Sequence, residues 1–160
     1  MYSEHNIQPV FDSRSKILIL GSFPSVKSRE CRFFYGHPQN RFWRVISGVF
    51  NDCLPQTVDE KKALLLAHGI ALWDVIASCD VEGSSDSSIR NVIPNDIGYI
   101  LSACSIERIF TNGKTAAKLY DKFIFPVTGR KAICLPSTSP ANASYSLERL
   151  TVEWRKAIES

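Results

Sequence analysis

The sequence predicts an α/β fold, built on a central, mainly parallel four-stranded sheet with helices on both sides. Short apolar runs alternate with amphipathic helical stripes along the 160 residues, and this alternation is typical of strand, helix, strand units. Polar loops follow three of the four apolar runs, after Leu20, Thr111 and Leu135. Because parallel strands end at the same edge of a sheet, we expect these loops to converge on one cleft.

The first strand is the most clearly marked element. Residues 17–20 form the continuous apolar run Ile-Leu-Ile-Leu, which suits a strand buried on both faces of a parallel sheet. Gly21 ends the run, and Ser22, Pro24 and Ser25 follow it. This turn places backbone N–H groups and hydroxyls at the carboxyl end of the strand, where open α/β sheets bind ligands.

Spacing and capping signals predict the other elements. An apolar stripe that includes Phe42 and Val49 predicts a helix beginning near Asn40. Thr57 and Glu60 have the spacing of a capping box, which predicts a second helix. The remaining predictions are strands at 70–76, 106–111 and 131–135, helices beginning near Pro94 and Ser146 and running through 116–123, a lead-in segment at 1–15 and a long exposed loop at 82–88.

Length and composition favour a single domain, residues 1–160. A chain of 160 residues with 44% hydrophobic content can bury one full core but is too short for two ordinary domains. The net charge of +3 permits binding to nucleic acid without indicating it. No signal-peptide pattern opens the chain, and no apolar run approaches the roughly 20 residues needed to cross a bilayer. We therefore expect a cytoplasmic protein with no membrane partner.

The cysteines give no sign of a metal site. They stand at positions 31, 53, 79, 104 and 134, without the close pairs that bind zinc or an iron–sulfur cluster. An odd count favours reduced, mostly buried thiols. We expect neither a metal nor a cofactor.

A dense polar and aromatic segment, Phe34–Trp43, precedes the first predicted helix. On the pattern alone, Asn40 is a preferred N-cap, since it stands just before an apolar helical stripe. Tyr35 is as well explained as an ordinary half-buried aromatic, and His37 as a structural side chain next to Pro38. A functional role for these residues needs further evidence from the rest of the sequence.

Two more polar loops follow later strands. Asn112 and Gly113 form a strong turn signal, yet the amide of Asn112 also offers a donor and an acceptor to the edge of a base. The segment 136–142, Pro-Ser-Thr-Ser-Pro-Ala-Asn, is by itself a generic loop.

Taken together, these segments resemble the uracil-DNA glycosylase superfamily. The Gly-Ser-Phe-Pro turn at 21–24 and the His-Pro-Gln-Asn-Arg-Phe-Trp segment at 37–43 are most similar to the hypoxanthine-DNA (deoxyinosine) glycosylase branch, and next to the mismatch-specific uracil/thymine-DNA glycosylases. The loops at 112–114 and 136–142 are similar to motifs of the same superfamily. The resemblance implies a three-layer α/β/α sandwich.

The resemblance also implies which residue positions the water that attacks the sugar. In the mismatch-specific branch an Asn in the first turn does so, and Phe23 takes that place here. The hypoxanthine branch uses the Asn of the second segment instead, which corresponds to Asn40. We therefore expect the Asn40 side-chain carbonyl to hold a water against the anomeric carbon of a flipped nucleotide.

Further roles follow from the same resemblance. Tyr35 is expected to stack on the base and Asn112 to bind its edge, while the 137–142 loop enters the duplex. A carboxylate near the site can stabilise positive charge on the sugar, which makes Asp74 and Asp86 candidates, although Asp74 is better explained as the end of its strand and Asp86 as a solvated side chain. The expected base contacts are Ser22, Phe23, Tyr35, His37 and Asn112, and the expected DNA contacts are Ser25, Arg41, Lys114, Ser137, Thr138, Ser139 and Asn142. If the chain is instead a non-catalytic binder of damaged DNA, Arg44 is a further phosphate contact beside Arg41 and Lys114.

The resulting hypothesis is a monofunctional DNA glycosylase of base excision repair. It flips out a deaminated base, hypoxanthine in the first instance, hydrolyses the N-glycosidic bond and leaves an abasic site. Its expected partner is double-stranded DNA containing such a base, and we expect a monomer associated with the nucleoid of a bacterium or archaeon. Two alternatives stay open: a uracil or mismatch-specific glycosylase, and a non-catalytic domain that binds damaged DNA.

Overall fold

Seven strands and seven helices make up the part of the chain that a computed structural model describes, residues 2–4, 7–24, 26–80 and 89–160. Ser25, Asp86 and the predicted loop at 82–88 lie outside these ranges. The strands are Tyr2–Glu4 (β1), Ile17–Gly21 (β2), Ile70–Asp74 (β3), Ile76–Asp80 (β4), Arg90–Pro94 (β5), Arg108–Asn112 (β6) and Ile133–Leu135 (β7). The helices are Val26–Cys31 (α1), Phe42–Val49 (α2), Val58–Ala67 (α3), Ile97–Ala103 (α4), Lys114–Phe123 (α5), Phe125–Thr128 (α6) and Leu147–Glu159 (α7).

The central sheet has four parallel strands in the order β3, β2, β6, β7. Every residue of β2 is buried, as its continuous apolar run predicts. Ile17 pairs with Ile70 on one side and with Arg108 on the other. The predicted parallel four-stranded sheet is thus present, with the most apolar strand at its centre.

Helices cover both faces of this sheet. Because successive side chains of a strand point to opposite faces, Ile17 and Ile19 belong to one apolar cluster and Leu18 and Leu20 to another. The first cluster also contains apolar side chains of α2, α3 and α7, and the second contains side chains of α4 and α5. The molecule is therefore the expected α/β/α sandwich.

A small second sheet differs from the sequence prediction. The predicted strand at 70–76 ends at Asp74, and after a bend at Val75 its last residue, Ile76, begins β4 of an antiparallel sheet of order β1, β4, β5. The Asn95 side chain holds the bend by donating hydrogen bonds to the carbonyls of Asp74 and Ile76, at 2.9 and 3.3 Å. Val75 and Ile76 are apolar and buried like most of β3, so the hydrophobic pattern carries no sign of the bend.

Other differences are local. The predicted lead-in segment contributes β1 to the second sheet, and a short helix, α1, replaces the loop expected after the first turn. Cys79 and Cys104 are buried but Cys53 and Cys134 are exposed, so the expectation of mostly buried thiols holds for only half of the four described free cysteines. Across the described ranges, no helix combines the length and apolar character needed to span a membrane.

Candidate active site

A cavity of about 290 Å³ lies at the carboxyl edge of the central sheet. The loops after β2, β6 and β7 meet there, as the sequence predicts, together with the end of β3 and the segment that leads into α2. Its volume is close to the lower end of the range for small-molecule sites. Of the residues singled out from the sequence, those that line it are Ser22, Phe23, Tyr35, His37, Asn40, Asn112, Ser137, Thr138 and Ser139.

The side chain of Asn40 is held by two hydrogen bonds. Its Oδ1 accepts one from the backbone N–H of Phe42, at 2.9 Å, and one from the hydroxyl of Thr138, at 2.8 Å. The first bond satisfies a backbone N–H at the start of α2, as the side chain of an N-cap residue does. Arg41, one residue later, occupies the N-cap position itself. The structure therefore combines the capping interpretation of Asn40 with a place in the cavity wall.

Both the Nδ2 and the Oδ1 atoms of the Asn112 side chain make hydrogen bonds. Its Nδ2 donates to the Tyr35 hydroxyl at 3.1 Å and to Thr138 Oγ1 at 3.0 Å, while its Oδ1 accepts from the backbone N–H of Thr138 at 3.0 Å. Thr138 is fully buried, and it is the member that connects Asn112 to Asn40. Four side chains from three separate segments thus form one hydrogen-bonded chain, Tyr35 to Asn112 to Thr138 to Asn40.

Tyr35 adopts an uncommon backbone conformation at the cavity wall. Its φ is +53°, a left-handed value that non-glycine residues seldom adopt. Its ring stacks on the buried ring of Phe42, with centroids 4.2 Å apart and planes at 19°. The next residue, Gly36, donates its N–H to the buried hydroxyl of Ser28 at 2.9 Å. These contacts fix the aromatic ring where the resemblance expects a stacking partner for a base.

Gly21 lies at a point of close approach. A methyl group added there would come within 2.5 Å of Asp74 Oδ1 and 2.9 Å of the Tyr35 hydroxyl. Both polar groups therefore lie directly against the end of β2, and only glycine leaves them room. The turn glycine of the first motif thus has a packing reason at this position.

Arg41, a predicted DNA contact, binds a loop of the chain itself. Its guanidinium donates to the backbone carbonyls of Ser139 at 2.8 Å and Asn142 at 3.1 Å, and also to that of Tyr145. Its Nε approaches the carbonyl of Thr138 at 3.4 Å. Arg41 does not line the cavity, and it holds the 138–145 loop against the start of α2.

The 137–142 loop also uses its own polar groups to hold its shape. Ser137 Oγ accepts from the N–H of Ser139, and Ser139 Oγ accepts from the N–H of Ala141, each at 3.1 Å. The Asn142 amide donates to the carbonyl of Ser137 at 3.0 Å. Asn142 does not line the cavity, and neither does Lys114, which is exposed at the first residue of α5.

The other predicted base contacts lie around the cavity mouth. Ser22 and Phe23 are half-buried, and the Arg29 guanidinium lies 5.1 Å from the centre of the Phe23 ring. His37 is exposed, and its Nδ1 accepts from the N–H of Gln39 at 3.1 Å.

Asp74, for which the sequence favoured an ordinary strand end over a place at the site, lies in the cavity wall. It ends β3, as expected, but its side chain is only 4% exposed and lines the cavity. Oδ2 is buried without a hydrogen-bond partner in the described residues. Burial raises the pKa of Asp74 from 3.8 to about 7, because a carboxylate away from water loses its hydration.

Within the described ranges, no group of three His, Cys, Asp or Glu side chains is arranged to hold a metal ion.

Comparison with known proteins extends the resemblance to the whole chain. The family model of the uracil DNA glycosylase superfamily matches residues 8–159. A hypoxanthine DNA glycosylase from Methanosarcina acetivorans is 36% identical over 147 residues, covering 91% of each protein. One from Methanosarcina barkeri is 32% identical over 154 residues, covering 94% of this chain and 95% of the relative.

A solved structure is similar as well. The solution structure of a Methanosarcina acetivorans protein, provisionally described as a uracil DNA glycosylase, superimposes with a TM-score of 0.82 at 32% sequence identity. The match covers 98% of this chain and 96% of the other.

Proposed function

This chain belongs to the uracil DNA glycosylase superfamily, and from that membership we propose that it excises hypoxanthine from double-stranded DNA. It hydrolyses the N-glycosidic bond of a flipped deoxyinosine and leaves an abasic site. The observation that carries the proposal is the cavity at the sheet edge, whose wall contains the hydrogen-bonded chain from Tyr35 to Asn40. Two relatives that share more than nine-tenths of its length bear the name hypoxanthine DNA glycosylase.

In this proposal Asn40 positions the attacking water. Its carbonyl accepts from Phe42 N–H and from the Thr138 hydroxyl, and these two bonds hold the amide in one orientation. The attacking water binds to the side of this fixed amide that borders the cavity, which is the preorganisation that the reaction requires.

Tyr35 provides an aromatic wall for the flipped base. The ring is fixed on Phe42, and stacking on an aromatic ring holds a base without regard to its edge. Asn112 holds Tyr35 and Thr138 in place, because both of its Nδ2 hydrogens are directed to them. Any direct contact from Asn112 to the base is made through the remaining lone pair of Oδ1.

The surface around the cavity contacts the duplex. The loop at 137–142 fills the space left by the flipped nucleotide, and hydrogen bonds from Arg41 to its carbonyls keep it in place. Lys114 and Arg44 approach flanking phosphates. The proposal includes action as a monomer on the duplex. The proposed location is the cytoplasm, in association with the nucleoid, because the substrate is DNA.

The chemistry is hydrolytic. No lysine is among the residues that line the cavity in the described part of the chain, and a lysine amine is what a Schiff-base lyase would need. We therefore expect an intact strand carrying an abasic site, which breaks only after alkaline treatment.

The test is single-turnover base release from labelled duplexes that each contain one hypoxanthine, uracil, xanthine or mismatched thymine. We expect hypoxanthine to be released fastest, with no strand break before alkali. Preferred release of uracil or thymine would assign the chain to pyrimidine excision. Binding of the damaged duplexes with no release of any base would show a non-catalytic domain.

A further inference from the structure

Asp74 is a buried acid in the cavity that the proposed chemistry leaves without a role. Its side chain is 4% exposed, and its Oδ2 is buried with no hydrogen-bond partner among the described residues. A buried polar atom without a partner is costly, and in a binding site it indicates a ligand group that supplies the missing bond. The cavity is the space on which Asp74 borders.

The position of Asp74 relative to Asn40 shows which part of a base it meets. Asp74 and the Tyr35 hydroxyl both lie against Gly21, and from Tyr35 the hydrogen-bonded chain continues through Asn112 and Thr138 to Asn40. Asp74 thus lies beside the Tyr35 end of this hydrogen-bonded chain, and Asn40 is its other end. In the proposed arrangement, a base whose sugar lies at Asn40 extends its far edge, away from the glycosidic bond, toward Asp74.

The far edge of hypoxanthine carries an N–H donor, N1–H, next to a carbonyl acceptor, O6. A neutral carboxylic acid has the complementary pair, an acceptor oxygen and an O–H donor. Negative charge develops on the departing base and is shared by O6, so an O–H donor there stabilises the transition state. An ionised carboxylate at the same place would repel that charge.

We propose that Asp74 acts as a neutral carboxylic acid that accepts a hydrogen bond from N1–H and donates one to O6 of the flipped hypoxanthine. This inference rests on the proposed function and adds a catalytic residue to it. The acid stays protonated throughout: no proton transfer is required, because the base leaves as an anion that the O–H group stabilises.

The surroundings of Asp74 favour its neutral form. No salt bridge reaches it within the described part of the chain, and burial raises its pKa to about 7. The other titratable side chains that line the cavity are Tyr35 and His37, both from the segment before α2. Arg29 of α1 lies over the Phe23 ring. A buried acid kept neutral in order to donate a hydrogen bond is a known catalytic device.

The sign of the pH dependence follows from this assignment. The active form is the protonated one, so hypoxanthine release is fastest below the pKa of Asp74 and declines as the pH rises through about 7. Above that value the decline approaches about tenfold per pH unit. A role as ionised carboxylate predicts the opposite, a rate that increases over the same range.

The experiment is single-turnover release of hypoxanthine from pH 5.5 to 9 by the wild type, Asp74→Asn and Asp74→Leu. The Asn amide offers one donor and one acceptor at every pH, so we expect Asp74→Asn to lose the decline and to exceed the wild type by about tenfold or more at pH 9. Asp74→Leu lacks both groups, and we expect it to be slower than the wild type at pH 6 by about a hundredfold. Asp96→Asn, which removes a carboxylate from an exposed position, keeps the wild-type profile. His37 is present in every variant and therefore does not account for a difference between them.

A modified substrate tests the same contact without a change to the protein. The wild type should release 1-methylhypoxanthine at least about tenfold more slowly than hypoxanthine, because the methyl group removes the N1–H donor. Equal rates on the two bases, an Asp74→Asn variant that is inactive at all pH values, or a wild-type rate that increases with pH would each overturn the inference while leaving the glycosylase activity established. Absence of hypoxanthine release by the wild type would instead overturn the proposed function, and the inference with it.

Discussion

Thr138 is the residue that joins the two halves of the site. Its hydroxyl donates to Asn40 and accepts from Asn112, and its backbone N–H donates to Asn112. The side chain is fully buried, so water does not take the place of a hydrogen-bond partner that is removed, and the unpaired group lowers the free energy of unfolding. The sequence interpretation placed Thr138 among the phosphate contacts, whereas the structure places its hydroxyl inside the network that orients the proposed catalytic amide.

Replacing Thr138 with valine tests this connection. Valine has the same shape without the hydroxyl, so Asn40 and Asn112 each lose a partner, and we expect hypoxanthine release to fall by about tenfold or more, since about 1.4 kcal/mol corresponds to a factor of ten. Thr138→Ser keeps the hydroxyl and should retain most of the rate. Single-turnover kinetics alongside duplex affinity provide the measurement. An equal loss in both variants, or a parallel loss of DNA affinity, would contradict the assigned role.

For individual residues, the sequence predicts which side chains line the cavity better than it predicts their hydrogen-bond partners. Asn112 lines the cavity because the ends of parallel strands meet at one edge of the sheet, and Tyr35 and Asn40 line it from the segment that leads into α2. The partners of Arg41 depend on a loop about a hundred residues later in the chain, and no local pattern contains that information. For Asp74 the sequence favoured a strand end over a place at the site, because a polar residue that ends an apolar run is also what an ordinary strand end requires.

Among the elements, the loop from 138 to 145 is the one that depends most on a single side chain. Arg41 lies at the start of α2 and donates to the carbonyls of Thr138, Ser139, Asn142 and Tyr145. A guanidinium has five donors in a fixed plane, which suits it to gather several carbonyls of one loop. Arg41 therefore joins the loop to the start of α2, and this contact holds Thr138 close to Asn40.

We expect Arg41→Ala to loosen this loop and to slow base release. Losing several hydrogen bonds to a charged group should lower the free energy of unfolding by about 2 kcal/mol. Faster amide hydrogen exchange at 138–145, measured by mass spectrometry, is the direct check. Arg44→Ala removes the same type of side chain from the exposed face of α2 and should leave exchange in the loop unchanged. Unchanged exchange in Arg41→Ala would show that the loop is held by its internal bonds alone.

Element boundaries were predictable where a cap or an apolar stripe marks them. Of the predicted capping box, the bond from Glu60 N–H to Thr57 Oγ1 is formed at 3.1 Å, while the Glu60 side chain accepts from the N–H of Gln56, one residue before the cap. Helix α7 begins after Ser146, as expected. The bend at Val75 was not predictable, since its cause is the side chain of Asn95, some twenty residues away. Burial on both sides of that bend removes the alternation that would otherwise mark it.

On the scale of the whole molecule, the topology explains why the site forms at all. Four parallel strands end at one edge, and each of these ends contributes to the cavity: Gly21 from β2, Asp74 from β3, Asn112 from β6 and the loop after β7. The alternation of strands and helices is strong enough to predict this arrangement from the sequence. The small antiparallel sheet was not predicted, and it supplies no residue to the cavity in the described part of the chain.

In the proposed mechanism this sheet edge catalyses excision of hypoxanthine, and Asn40 is the group that positions the water. The most direct test compares single-turnover release of hypoxanthine by the wild type, Asn40→Ala and Gln39→Ala, with duplex affinity measured in parallel by fluorescence anisotropy. Gln39 is exposed, lies next to Asn40 and does not line the cavity. We predict release by the wild type and Gln39→Ala, and a loss of about a hundredfold or more in Asn40→Ala with unchanged affinity. Release by Asn40→Ala at the wild-type rate would contradict the account.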